Sequence, residues 1–183
     1  MRIISGTARG RKLKAPAGFK IRPTSDMVKE TVFNIIQFDI EGRRVLDLFA
    51  GTGQLGIEAL SRGADSVVFV DESLAAVSLI RENLKLAGFE ESAKVTRDDG
   101  LSFLNRGGKF DLIFLDPPYE TGTLDKAIKK IIEFDILKEN GIIICESNFE
   151  KPMPEVSEPY RKRKEYKCGR TKITLYDKIA NEA

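Results

Sequence analysis

The run Phe110-Asp-Leu-Ile-Phe-Leu-Asp116-Pro117-Pro118-Tyr119 combines the residue types needed to hold a flat amine. An apolar stretch ends in a carboxylate, two prolines and an aromatic ring. The prolines lock the backbone and remove two N–H donors, so the loop presents acceptors: the Asp116 carboxylate and the Pro117 carbonyl. Tyr119 adds a face for stacking. A planar ring bearing an exocyclic amine fits this set. Such a nitrogen is a weak nucleophile because its lone pair is delocalised. Acceptors on its protons aim the lone pair at an electrophile and support the positive charge that develops. The product nitrogen then loses its proton easily, so no strong base is required. The bland alternative for these residues is a structural turn.

The chain contains no histidine. That excludes Ser-His-Asp and Cys-His catalysis and histidine-based metal sites, and no metal is expected. Cys145 and Cys168 cannot form a zinc site alone, and Cys145 closes the apolar run Ile142-Ile143-Ile144, as a buried reduced thiol would.

Residues 51–56 read Gly-Thr-Gly-Gln-Leu-Gly, a G-x-G-x-x-G between an expected strand and an expected helix. Glycines there permit a tight turn and close approach of a ligand to the backbone. Asp71 lies twenty residues after Gly51 and could accept hydrogen bonds from a ribose diol. The loop alone fits NAD, FAD or S-adenosylmethionine. Asp47, four residues before the loop, divides them. A buried carboxylate must meet a cation or a donor. The ammonium of a methionine moiety is such a cation, whereas a pyrophosphate would be repelled. The other reading of Asp47 is an acceptor for loop N–H groups. Asp99 either accepts from an adenine amine, or Asp98 or Asp99 merely caps a helix that begins with Leu101, Phe103 and Leu104.

These residues need a scaffold. Short apolar runs at 44–49, 66–70, 93–96, 110–115 and 140–146 alternate with helical stretches at 54–62, 73–87, 99–105 and 122–135. Alternation of this kind implies βαβ units and a parallel sheet with helices on both faces. Val28, Val32, Ile35 and Ile36 share one face, so 25–38 reads as an amphipathic helix. Residues 160–168 and 171–179 read as a closing antiparallel hairpin around Gly169-Arg170. Residues 2–5 and 11–15 read as short strands of a basic hairpin. The chain is thus divided into a basic N-terminal extension, 1–24, and a main domain, 25–183.

A net charge of +2 conceals segregation. Residues 1–25 carry seven basic groups and no acid, and residues 151–172 carry eight basic and three acidic groups, while the centre is acidic. A solvated surface would more often mix its signs; the two basic ends read either as a disordered basic tail or as a polyanion-binding surface, and the second is the expectation. No apolar run approaches the roughly 18 residues of a membrane helix, and the N-terminus lacks the apolar segment of a secretory signal. A cytoplasmic monomer is the expectation.

Taken together, Asp47-Leu-Phe-Ala-Gly-Thr-Gly-Gln-Leu-Gly56 with Asp116-Pro-Pro-Tyr119 resembles S-adenosylmethionine-dependent methyltransferases that modify exocyclic amines of bases. The head of the chain narrows this. Arg2-Ile-Ile-Ser-Gly, Arg9-Gly-Arg-Lys-Leu13, Arg22-Pro-Thr-Ser-Asp26 and Lys29-Glu-Thr-Val-Phe-Asn34 resemble the bacterial 16S rRNA (guanine-966-N2)-methyltransferase family. The resemblance implies a Rossmann-like α/β fold with a seven-stranded, mostly parallel sheet in the order 3-2-1-4-5-7-6. It implies methyl transfer to guanine N2 in small-subunit rRNA, free or in an assembling particle. Asp47, Phe49, Gly51, Gly53 and Gly56 would form the cofactor loop, Asp71 would hold the ribose and Asp99 the adenine. Asp116, Pro117 and Tyr119 would hold the guanine, and Arg9, Arg11, Lys12 and Arg22 the RNA phosphates. The alternatives are an amino methyltransferase acting on adenine or cytosine of DNA or another RNA, and a non-catalytic RNA-binding protein of the same fold. The chain length leaves little room for a separate DNA-reading domain, and the intact Asp116 loop argues against lost catalysis.

Overall fold

The computed structural model describes residues 1–15, 25–118 and 122–180. Seven strands form one sheet: β1 (Arg44–Leu48), β2 (Ser66–Asp71), β3 (Ala93–Arg97), β4 (Phe110–Leu115), β5 (Leu137–Asn148), β6 (Tyr160–Cys168) and β7 (Thr171–Lys178). Their order is β3-β2-β1-β4-β5-β7-β6. The first five are parallel, and β7 runs antiparallel between β5 and β6. Fold class and strand order are therefore as expected.

Alternating side chains build two cores, one on each face. Val45, Val67, Phe69, Leu112, Phe114 and Ile144 point toward helices α1 (Asp26–Ile35), α2 (Gln54–Ser61) and α3 (Leu74–Ala87). Leu46, Leu48, Val68, Val70, Ile113 and Leu115 point toward α4 (Gly100–Leu104) and α5 (Thr123–Glu133). A period of two along each strand fills both faces, as a doubly covered parallel sheet requires.

Helix ends follow their caps. Ser25 Oγ accepts from Val28 N–H at the start of α1, and Ser73 Oγ accepts from Ala76 N–H at the start of α3. Gly88, at φ 75°, closes α3. Two elements depart most from the sequence reading. α1 stops at Ile35, because a turn from Ile36 to Asp39 lets Ile40 bury and leaves Phe38 91% exposed. β5 begins at Leu137, ahead of an irregularity in register where Asn140 takes φ 57°.

The N-terminal residues fold back on themselves, though the expected strands 2–5 and 11–15 reduce to a single bridge. Arg2 bridges Lys12, and the Ile3 and Leu13 N–H groups donate to the Arg11 and Met1 carbonyls. Ile3, Ala8 and Leu13 are buried in the core beneath α1–α3. Gly6 lies so near α2 that a Cβ there would fall 1.7 Å from the Ser61 carbonyl oxygen, so no side chain fits. No helix among the described residues is long and apolar enough to cross a membrane.

Candidate active site

Parallel strands present their carboxyl ends along one edge of the sheet, where open α/β folds bind ligands. The acids singled out from the sequence converge on that edge. Asp47 is the fourth residue of β1, Asp71 ends β2, Asp99 follows β3 and Asp116 follows β4. β1 and β4 are hydrogen-bonded neighbours with Leu48 opposite Leu115, so the glycine loop and the Asp116 loop leave the sheet side by side.

Asp47 is buried on the α2 side, and its Oδ2 accepts the Gly56 N–H at 2.9 Å. Burial pushes its pKa up to about 7, the Gly56 hydrogen bond opposes this, and the nearby Asp71 charge adds to it. The loop N–H contact anticipated for Asp47 is thus present, and one such bond does not offset the cost of burying the charge.

The loop itself is tightly wound. Gly53 N–H donates to the Ala50 carbonyl at 2.7 Å, and Gly53 caps α2 in the left-handed region at φ 76°. Asp71 braces it from the next strand, Oδ2 accepting from Gly51 N–H at 2.8 Å, while Oδ1 accepts from Ser73 N–H of its own turn at 2.9 Å. Gly56 does different work. A Cβ there would meet the Phe69 ring at 2.3 Å, so this glycine lets α2 lie directly on β2. Its contacts are with Asp47 and Phe69, a packing role beside the one expected of it in the cofactor loop.

Phe49 is the strained residue of the site. It holds φ 68°, a region costly for a bulky side chain by roughly 1–3 kcal/mol. Its ring lies against Gly100, where a Cβ would approach Cε1 to 2.5 Å. Asp99 caps α4, its Oδ1 accepting from Ser102 N–H at 2.8 Å, while Asp98 pairs with Arg106 at 2.7 Å. The capping reading of Asp99 is therefore realised, with Oδ2 the oxygen not used by the cap.

Asp116, Pro117 and Pro118 follow β4 directly, and a shallow cleft runs from the prolines past Ser147 to Lys151. Tyr119 and Arg22 lie outside the described residues. Arg9 and Lys12 are exposed on the N-terminal hairpin. Arg11 Nη1 donates to the Ala87 carbonyl at 2.6 Å, at the C-terminal end of α3 where a cation is favoured. Among the described residues no carboxylate and thiol cluster could hold a metal ion.

Among the buried polar residues that escaped sequence reading, three anchor the N-terminal segment. Glu58 accepts the N–H groups of Ile4 and Ser5 and pairs with Arg62. Lys29 Nζ donates to the Arg2 carbonyl. Asn83 links Lys14 to the Thr52 carbonyl. The available signal was position: Asn83 interrupts the buried stripe Ala76, Val77, Ile80, Leu84, Ala87 of α3.

A family profile described as "Conserved hypothetical protein 95" (Cons_hypoth95) matches residues 1–177. The chain belongs to this family. Cons_hypoth95 relatives include "Putative rRNA methyltransferase YlbH" of Bacillus subtilis, 44% identical over 97% of this chain and 99% of that one. "Ribosomal RNA small subunit methyltransferase D" of Escherichia coli is 35% identical over 98% of this chain and 91% of its own. The Escherichia coli structure described as "Putative methyltransferase yhhF" superposes with a TM-score of 0.90, 33% identity and 99% coverage of both chains. The Cons_hypoth95 match takes in the basic head, the glycine loop and the Asp116 loop together.

Proposed function

We propose that the protein transfers a methyl group from S-adenosylmethionine to the exocyclic N2 of a guanine in small-subunit (16S) rRNA. The fold and the rRNA methyltransferase relatives support the donor and the substrate class. The observation that carries the choice of an amine is Asp116-Pro117-Pro118 set beside the glycine loop, on strands paired Leu48 to Leu115.

The donor set fits the cofactor. Asp47 is a carboxylate whose pKa burial pushes up to about 7, and an ammonium group placed beside it would favour its charged form. Asp71 Oδ2 braces the glycine loop at Gly51 while Oδ1 holds the Ser73 turn, and each oxygen retains a lone pair for a ribose hydroxyl. Asp99 offers Oδ2 to an adenine amine, and the backbone of Gly51 and Gly53, with Phe49, would line the methionine end. When bound, the cofactor supplies a methyl carbon activated by a sulfonium centre.

Asp116 and the Pro117 carbonyl would accept the two N–H bonds of the guanine amine. Held this way, the nitrogen lone pair points toward the glycine-loop side of the site. The Asp116 charge stabilises the cationic nitrogen of the transition state, worth about 10²–10³ in rate for a well-placed group. The N-methylated amine then releases its proton to solvent. Tyr119 would stack on the base. The base must leave its stack or already lie in a loop. Arg9, Lys12 and Arg22 would neutralise phosphates, with Arg11 contributing the guanidinium donors that Ala87 does not use.

The test is transfer of labelled methyl to unmodified small subunits, free 16S rRNA and duplex DNA, followed by nucleoside mass spectrometry. N2-methylguanosine from either RNA substrate is expected. N6-methyladenine in DNA, or a different RNA nucleoside, would overturn the assignment.

A further inference from the structure

We propose that the tip of the β6–β7 hairpin is a second RNA-docking surface, separate from the basic head, that grips single-stranded rRNA flanking the target base. This rests on the rRNA reading above.

The topology sets its position. β7 is antiparallel, so its first residue and the last residue of β6 lie at the carboxyl end of β5: Asn148 pairs with Thr171, and Thr171 with Cys168. The turn Gly169-Arg170 therefore projects from the same sheet edge as Asp116. Two strand spacings, about 10 Å, separate β4 from β7. The cleft lined by Pro117, Pro118, Ser147 and Lys151 lies between the Asp116 loop and the end of β5.

The chemistry of the tip suits a nucleotide. Phe149 follows β5, is 41% exposed, and is fixed by its N–H donating to the Arg170 carbonyl at 2.9 Å. Lys167 Nζ stands 4.3 Å from the centre of its ring. Among the described residues, Arg161, Lys162 and Lys172 are neutralised by Asp177, Glu155 and Glu165. Arg163, Lys164, Lys167 and Arg170 are exposed and have no ion-pair partner there. Aromatic faces next to uncommitted cations are the components of single-strand recognition: bases stack and phosphates are neutralised. A charged outer strand also discourages edge-to-edge association. That need explains the cations along β6 but not Phe149, which lies past the end of the interior strand β5 with its ring part-exposed beneath Lys167.

The experiment compares the unvaried protein with Lys167→Glu/Arg170→Glu and with Phe149→Ala. Binding of unmodified 16S rRNA is measured across a salt series, alongside calorimetric binding of S-adenosylmethionine and a thermal melt. The double charge variant should weaken rRNA binding at least tenfold. It should also flatten the slope of log Kd against log salt by about 1.4, since each single-strand phosphate contact contributes about 0.7. Phe149→Ala should weaken binding at least threefold and leave the slope unchanged. Cofactor affinity should stay constant in all three proteins. Undiminished rRNA affinity and slope in folded variants would overturn the docking surface while leaving the rRNA reading intact. Failure of the unvaried protein to bind or methylate rRNA would overturn both.

Discussion

The carboxamide of Asn83 grips the backbone of Lys14 from both sides: Oδ1 accepts the Lys14 N–H at 2.8 Å, and Nδ2 donates to the Lys14 carbonyl at 3.3 Å. The same Nδ2 reaches the Thr52 carbonyl of the glycine loop at 3.2 Å. One fully buried side chain thus ties the basic head to the candidate cofactor loop. Asn83→Ala strands these backbone groups, at a cost of about 1–3 kcal/mol. For a domain of this size each kcal/mol lowers Tm by about 2–4 °C. A melting point lower by several degrees, with weaker S-adenosylmethionine binding by calorimetry, is expected. Unchanged cofactor affinity would mean that Asn83 serves the head alone.

Asp116→Ala separates chemistry from binding. Asp116 sits past the end of β4, whereas Asp47 and Asp71 carry the contacts to the glycine loop. The variant should lose about 10²-fold or more in kcat and keep its cofactor Kd within threefold. Single-turnover methyl transfer with saturating donor, read beside a cofactor titration, distinguishes this from general misfolding, in which both would fall.

How far the sequence reached differs between local and distant features. Most strands of the parallel part were visible as short apolar runs, the charged β6 and its partner β7 only as β-like runs either side of Gly169-Arg170, and Ser73 and Gly88 bracket α3 as their cap chemistry dictates. The strand order was not visible in any periodicity; it came with the family resemblance. The acids at the strand ends could be placed because a parallel sheet aligns its carboxyl ends. Glu58 and Asn83 could not, since they resemble ordinary polar helix residues until partners 53 to 69 positions away fold onto them. Phe49 was legible as part of a motif, yet its left-handed backbone depends on the gap left by Gly100, fifty-one residues on.

Asp47 should make the ligand-free protein sensitive to pH near neutrality. Its folded pKa of about 7 lies above the ordinary 3.8, so the folded state binds a proton that the unfolded state has already released. The sign follows: stability is greatest below pH 4 as far as this group is concerned, declines as pH rises, and levels off above pH 7. Asp135, held down to about 2 chiefly by hydrogen bonds from Lys109 and Lys178, acts in the opposite sense and only at acid pH. No histidine is present to confuse the range between 5 and 8. Denaturant melts at pH 5.5 and 8 should show the protein weaker at pH 8, and Asp47→Asn should remove most of that difference. A wild-type difference that survives in Asp47→Asn would assign it to other groups. Binding a cationic ligand head should expel the proton, so cofactor affinity should rise with pH through 7 and proton release should be measurable in buffers of different ionisation enthalpy.

Gly100 and Phe49 should prove energetically coupled. A methyl at Gly100 would lie 2.5 Å from Phe49 Cε1, well inside contact distance, and Phe49 already carries backbone strain. Gly100→Ala must displace the ring or the start of α4, at about 1–3 kcal/mol. Because α4 begins immediately after Asp99, the displacement should also weaken cofactor binding. Phe49→Leu removes the ring edge that the new methyl would strike. The double variant should therefore be less damaged than the sum of the two single variants, with an interaction energy of about 0.5–3 kcal/mol in the unfolding cycle. Strict additivity would show that the new methyl is relieved elsewhere and that the Phe49 ring does not press on α4.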